Sequence, residues 1–280
     1  MHKTTRKYFP IFVLPTLLAF LVAFLAPFVI GIYLSFCKFT TIIDAEFVGI
    51  ENYTKMFKQP DFLNALGFTT AFAIVSIITV NVFAFMLAIG LTKGIKGTNI
   101  FRTTFFMPNL IGGIVLGYIW QLIINGVLMN WGATIVSNYK YGFWGLVVLM
   151  NWQMIGYMMV IYVAGIQNVS PDLIEAAEID GATRFQILRK ITIPMVMPSF
   201  TICLFLTLTN SFKLFDQNLA LTAGAPGKQT QMLALDIYNT FYGRMGWEGV
   251  GQAKAVVFFL IVGVIAFIQL YATRSKEVEN

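Results

Sequence analysis

Few side chains in this 280-residue chain could do chemistry, and most of them stand inside long apolar runs. Lys213 and Asp216 are a charge pair within such a run. Three apart on a helix, they can face each other, as an ion relay or as a structural pair near the end of the run. Neutral hydrogen-bonding groups surround them. Thr207, Asn210, Ser211 and Asn218 fall at i, i+3, i+4 and i+11, a single stripe on a helix. Asn151 stands near the middle of the preceding run, followed by Tyr157 and Tyr162. Polar groups so placed either line a cavity or hydrogen-bond neighbouring helices. The stretch from Gly224 to Thr230 imitates a phosphate loop around Gly227-Lys228. That loop requires Gly five residues before the Gly-Lys and Ser or Thr directly after it, and here Thr222 and Gln229 occupy those places. No nucleotide site is expected. The lone His2 gives no metal site, and no nucleophile–base pair assembles, so the chain reads as a non-enzyme without a cofactor.

Composition says what must position these groups. The chain is 58% hydrophobic and 11% charged, more apolar surface than a soluble domain could bury. Its net charge of +6 is no nucleic-acid signal, because the cations cluster at the ends of runs. Runs almost free of charge cover about 10–37, 63–91, 103–125, 142–167, 195–219 and 255–273, each long enough to cross a bilayer as a helix. An all-α integral membrane protein of six spans follows, as one domain over 1–280 with a polar loop at 168–194. The first run is too long for a signal peptide and reads as an uncleaved span, kinked at Pro27. Cys37 and Cys203 lie far apart in apolar runs and read as packing residues.

With both termini inside, the inner side holds Lys3, Arg6, Lys7, Lys93, Lys96, Arg102, Arg184, Arg189, Lys190, Arg274 and Lys276. The outer side holds Lys38, Lys55, Lys58, Lys140, Lys228 and Arg244. Eleven against six favours this orientation. The loop 168–194 then faces the cytoplasm. Its local chemistry predicts two short helices. Ser170 caps a first one that opens on Pro171 with Asp172 and Glu175 in the first turns, and Gly181 ends it. A second, Arg184 to Ile191, presents Phe185, Leu188 and Ile191, and Pro194 marks the start of the fifth span.

The loop reads Glu175-Ala176-Ala177, three residues, Gly181, nine residues, Ile191, one residue, Ile193, Pro194. This resembles the EAA signature of membrane subunits of binding-protein-dependent ABC importers, with Ile193 where the family usually has Leu. Four further stretches resemble the sugar-permease branch of maltose, glycerol-phosphate and multiple-sugar type. They are Phe47-Val-Gly-Ile-Glu-Asn52-Tyr53, Arg102-Thr-Thr-Phe-Phe-Met-Pro108, Leu221-Thr-Ala-Gly-Ala-Pro226 and Asp236-Ile-Tyr238 to Phe241. The resemblance implies a type I ABC importer permease, maltose-permease-like, with a cytoplasmic coupling helix. Glu175, Ala176, Ala177, Asp180, Gly181 and Ala182 would meet the ATPase. It also implies a sugar site near mid-membrane on the fourth and fifth spans. The implied partners are a second homologous permease, two ABC subunits that bind ATP and Mg, an extracytoplasmic sugar-binding protein and membrane lipid, in a prokaryotic cytoplasmic membrane. The alternatives are an ABC permease for another solute, for which the neutral stripe is less suited, and a secondary transporter with Asp216 as its coupling carboxylate. A membrane-embedded enzyme lacks a catalytic constellation.

Overall fold

The computed structural model describes residues 2–275. Lys276 and Glu277, and the side chains of the basic start from His2 to Lys7, lie outside that description. Among the described residues five helices are long and apolar enough to span a membrane, six if one bent pair is counted as a span. Contacts group the chain into two compact units, one of residues to Phe62 with Ile237–Phe259, the other of Leu63–Asp236 with residues from Leu260 onward.

The first unit opens with α1 (His2–Phe20), a π-helical turn (Leu21–Leu25) and α2 (Ala26–Leu34). The turn stands where the expected kink was placed. A proline at 27 supplies no N–H to the turn before it and crowds the carbonyl four residues back, and a wider π turn relieves that crowding. After Leu34 come β1 (Cys37–Lys38), antiparallel to β2 (Glu46–Phe47), and α3 (Glu51–Lys58). Asn52 ties this segment together, donating to the Ser35 and Cys37 carbonyls at 2.9 and 2.8 Å. The backbone N–H groups of Thr41 and Thr40 hold the Asp44 carboxyl below its usual range. Within this unit Arg244 pairs with Asp61 at 3.0 Å.

α4 (Pro60–Leu91) is followed by α5 (Thr98–Phe106), α6 (Gly113–Leu128) and α7 (Tyr139–Gln167). The expected single run 103–125 is two helices, separated by a 3-10 turn at Met107–Leu110 and by Gly112. Pro108 removes an N–H, and extended Gly112 restarts the helix. α7 is the core of the second unit. Over its most apolar window 56% of residues are buried, against 6% for the first and last spans.

The loop carries α8 (Pro171–Ile179), α9 (Arg184–Ile187), a π turn (Leu188–Thr192) and α10 (Ile193–Met195). α11 (Met197–Phe212) departs at 68° from the preceding helix. The bend falls between Met195 and Met197, just past the expected Pro194. The fifth run does not continue helically to 219. α11 stops at Phe212, and α12 (Asp216–Leu221) is a separate short helix. α13 (Leu233–Gly243) follows, and α14 (Glu248–Arg274) begins before the expected 255, with Lys254 buried in it and donating to Thr240 at 2.8 Å.

Small residues allow the closest crossings, as membrane packing favours. Gly113 and Gly117 of α6 receive α12, where an added Cβ would stand 2.8 Å from Asp216 and 2.6 Å from Ala220. At Gly156 of α7 an added Cβ would overlap the Phe105 backbone carbonyl of α5. Gly156→Val therefore should drive α5 off α7 and sharply lower the amount of folded chain recovered from membranes. Gly126→Ala, with nothing within 4 Å, should leave recovery near the parent level.

Candidate functional site

Two regions of the second unit hold the singled-out residues. In the loop, α8 starts on Pro171 without a side-chain bond from Ser170, so the expected Ser cap is absent. Its end is built as the sequence suggests. Gly181 takes φ +79°, Gly181 N–H donates to the Glu178 carbonyl at 3.0 Å, and Ala182 N–H to that of Ala177 at 2.9 Å. This pair of bonds around a left-handed glycine is a Schellman motif. One residue later Thr183 and Gln186 form a reciprocal capping box, Thr183 N–H donating to Gln186 Oε1 at 2.7 Å. The Thr-x-x-Gln spacing was available in the sequence and was missed there. The two motifs, back to back, fix the angle between α8 and α9. A cleft of about 370 Å³ lies in the elbow, lined among others by Ala177, Asp180, Gly181, Ala182 and Lys190. Glu175 and Ala176 are exposed on α8. Ile179 and Phe185, 80% and 69% exposed, flank the elbow with apolar surface.

In the interior, the single stripe on the fifth span is corrected. Because α11 ends at Phe212, Asn218 belongs to α12. Its amide donates to Thr222 Oγ1 and the Thr230 carbonyl and accepts from Met232 N–H, holding the loop that follows α12. That loop includes Lys228 of the phosphate-loop look-alike. Thr207 and Ser211 are buried and also occupied. Thr207 donates to the Cys203 carbonyl at 2.7 Å, and Ser211 to that of Thr207 at 2.7 Å. Thr207 Oγ1 in turn accepts from Asn81 of α4 at 3.2 Å, and Asn81 Oδ1 accepts from Tyr162 of α7 at 2.8 Å. Asn81 thus joins three spans. It was overlooked, although an Asn inside the charge-free run 63–91 is itself a signal.

Asn151 and Asn210 keep free capacity. Asn210 is half-buried and donates to the Leu206 carbonyl of its own helix. Asn151 donates to Thr79 Oγ1 and the Val147 carbonyl, while its Oδ1 is buried without a partner. It borders a cavity of about 220 Å³ with Phe83, Leu87, Phe105, Trp152 and Ile155. Aromatic and aliphatic walls with one polar group suit a small organic solute. Lys213 and Asp216 flank the gap between α11 and α12, exposed and without an ion pair between them, so they are not the structural pair that helical spacing suggested. Among the described residues no cluster of His, Cys, Asp and Glu could hold a metal.

Residues 80–276 match the protein family described as "Binding-protein-dependent transport system inner membrane component". The chain is 47% identical over 277 residues to the probable starch degradation products transport system permease protein AmyD of Thermoanaerobacterium thermosulfurigenes, covering 96% of this chain and 94% of that one. It is 28% identical to the trehalose/maltose transport system permease protein MalF of Thermococcus litoralis, covering 95% and 93%. A solved bacterial ABC transporter involved in import of the acidic polysaccharide alginate has the same fold, with TM-score 0.83, 18% identity and 98% of each chain covered. The chain belongs to the binding-protein-dependent inner membrane transport family, and it is an all-α, multi-pass membrane protein of the type I ABC permease fold.

The Asn81 junction yields a stability test. Thr207→Val and Tyr162→Phe each remove one hydroxyl at nearly constant volume and strand part of the Asn81 amide. Each should cost about 1–3 kcal/mol. The double variant should cost less than the sum, since both act on one network. Thermal unfolding in detergent reads both quantities, and additive losses would show that the three groups do not act together.

Proposed function

We propose that this chain is the permease subunit of an ATP-driven importer for sugars or oligosaccharides, passing solute delivered by an extracytoplasmic binding protein. The 47% identity to a permease for starch degradation products, over 96% of the chain, carries the solute class. The neutral polar and aromatic groups around Asn151 agree with it, because amides hydrogen-bond hydroxyls and sugar faces lie well on aromatic rings. Asn151, which borders the cavity of Phe83 and Trp152 and has a buried, unpartnered Oδ1, is the first contact of this path once that oxygen opens to the solute. Asn210 offers a second contact.

In this reading the N- and C-termini are cytoplasmic, and the elbow 168–194 meets an ATPase subunit. Glu175, Ala176, Ala177, Asp180, Gly181 and Ala182 form the docking surface. Small Ala176 and Ala177 admit close approach, and the exposed Ile179 and Phe185 supply apolar area. ATP and Mg belong to two partner ATPases, and a second homologous permease completes the path. The chain itself breaks no bonds. Motion of the ATPases swings the elbow, and the swing passes through the π turn and the 68° bend into α11, which carries Asn210.

Two substitutions outside the path test the docking role. Gly181→Val forces a β-branched residue into φ +79°, a strain of about 1–3 kcal/mol at the elbow. Glu175→Lys reverses a charge on the α8 surface. Both variants should reach the membrane at near-parent levels yet lose co-purification with the ATPase. Normal co-purification and uptake by both would remove the elbow from the coupling role. Asn151→Leu and Asn210→Leu address the path instead. Each should lower sugar uptake, by a factor corresponding to about 1–3 kcal/mol for a lost bond in a desolvated site. Unaltered uptake by both would return these residues to helix packing.

A further inference from the structure

The polar residues of the fifth span divide into two sets that the sequence could not separate. Thr207, Ser211 and Asn218 are buried, and their groups are consumed by bonds within the chain. Asn210, Lys213 and Asp216 are not. Asn210 is half-buried, and Lys213 and Asp216 are exposed beside buried Phe212 and Leu214. Asn210 and Lys213 are three apart and share a face at the end of α11, and Asp216 opens α12 directly across the gap.

Depth in the membrane gives this set its meaning. α11 has 16 residues, about 24 Å of helix, short of a hydrocarbon core of about 30 Å. α12 lies alongside α6 with both chains running the same way. Gly113 stands opposite Asp216 and Gln217, Gly117 opposite Ala220, and Gln121 donates to the Leu221 carbonyl at 2.9 Å. α6 itself begins at the break that divides the third span. The gap between α11 and α12 therefore meets the gap between α5 and α6, inside the membrane and not at its surface. Interrupted helices of this kind are tolerated only where they are buried in protein or line a water-filled cavity. An exposed ammonium and an exposed carboxylate at that depth are costly against lipid, and no ion pair within the described chain offsets the cost.

We propose that Lys213 and Asp216 line the water-filled solute path at the level of the two helix breaks and bind the passing polyhydroxylated solute directly. Asp216 accepts from solute hydroxyls, and Lys213 donates to solute oxygens. With Asn210 they form a hydrogen-bonding ridge of zero net charge, suited to a neutral sugar. This rests on the importer reading above and adds two specificity-determining side chains to it.

The test uses the full transporter in proteoliposomes. Lys213→Cys and Asp216→Cys are each exposed to a negatively charged, membrane-impermeant methanethiosulfonate, in the resting and the nucleotide-trapped states. The native Cys37 and Cys203 are buried, so background labelling is low. Both introduced thiols should react in at least one state, and Ser211→Cys should not. Failure of both to react in either state overturns the proposal and places the ridge against protein or lipid. This arm is independent of the solute's identity. In a second arm, uptake of a labelled malto-oligosaccharide mixture is measured with saturating binding protein and normalised to assembled complex. Lys213→Gln and Asp216→Asn should each slow uptake about five-fold, the loss of one solute hydrogen bond. The exchanged variant, Lys213→Asp with Asp216→Lys, should not recover it. Unchanged uptake by the single variants, or recovery by the exchange, overturns direct contact. A parent that takes up no malto-oligosaccharide would exclude that solute and leave the labelling result to decide whether the ridge lines the path.

Discussion

In hydrocarbon a polar group has no water to fall back on, and everything particular about this chain follows from how it meets that constraint. Most of the fold obeys it simply. Long apolar helices satisfy their own backbones, and glycines such as Gly113, Gly117 and Gly156 let those helices approach closely. Several polar side chains of the second unit are joined to one another across helices. Asn81 spends its amide on Ile77, Thr207 and Tyr162, and Gln217 of α12 donates to Gln153 of α7 at 2.8 Å. These junctions fix the rotation of α4, α7 and α11 about their axes.

The exceptions to the rule are the informative places. Asn151 keeps an unpartnered oxygen beside a cavity, and the break between α11 and α12 leaves Lys213 and Asp216 exposed, without an ion pair among the described residues. Ser76 Oγ and Gln269 Oε1 are also buried without a partner, but Asn151 stands at a cavity and Lys213 and Asp216 at a helix break, where another group can complete them. The elbow at the other end of the second unit is the opposite case. Its Schellman turn and capping box satisfy the backbone locally, which makes it a stiff lever, while its apolar side chains Ile179 and Phe185 face outward. The π turn and the bend before Met197 join that lever to α11.

The class of fold was legible in the sequence, because long charge-free runs leave few alternatives. The sequence also showed the elbow, since Pro171 and Gly181 have local meanings that survive any tertiary context. Its errors share a cause. The third and fifth runs are each long enough to be read as one helix, and mean hydropathy over such a run does not register a break inside it. Pro108 and Gly112 signalled the first break, but nothing between Phe212 and Asp216 marks the second. That break is set by α12 packing on the glycines of α6, a contact distant in sequence. With the helix assumed continuous, Asn218 was drawn into a stripe it does not join, and Lys213 was turned toward Asp216. Asn81 was visible but had no partner in sequence to suggest its role, since Tyr162 and Thr207 come from other helices.

In the proposed function this chain moves sugar only as one part of an ATP-driven assembly. The most direct test is uptake of radiolabelled malto-oligosaccharide into proteoliposomes that hold this chain with its second permease and ATPases, with binding protein outside and ATP inside. Uptake should require ATP and every subunit, with no ATP hydrolysis by this chain purified alone. Uptake by this chain alone, driven by a proton or sodium gradient without ATP, would contradict the proposed function.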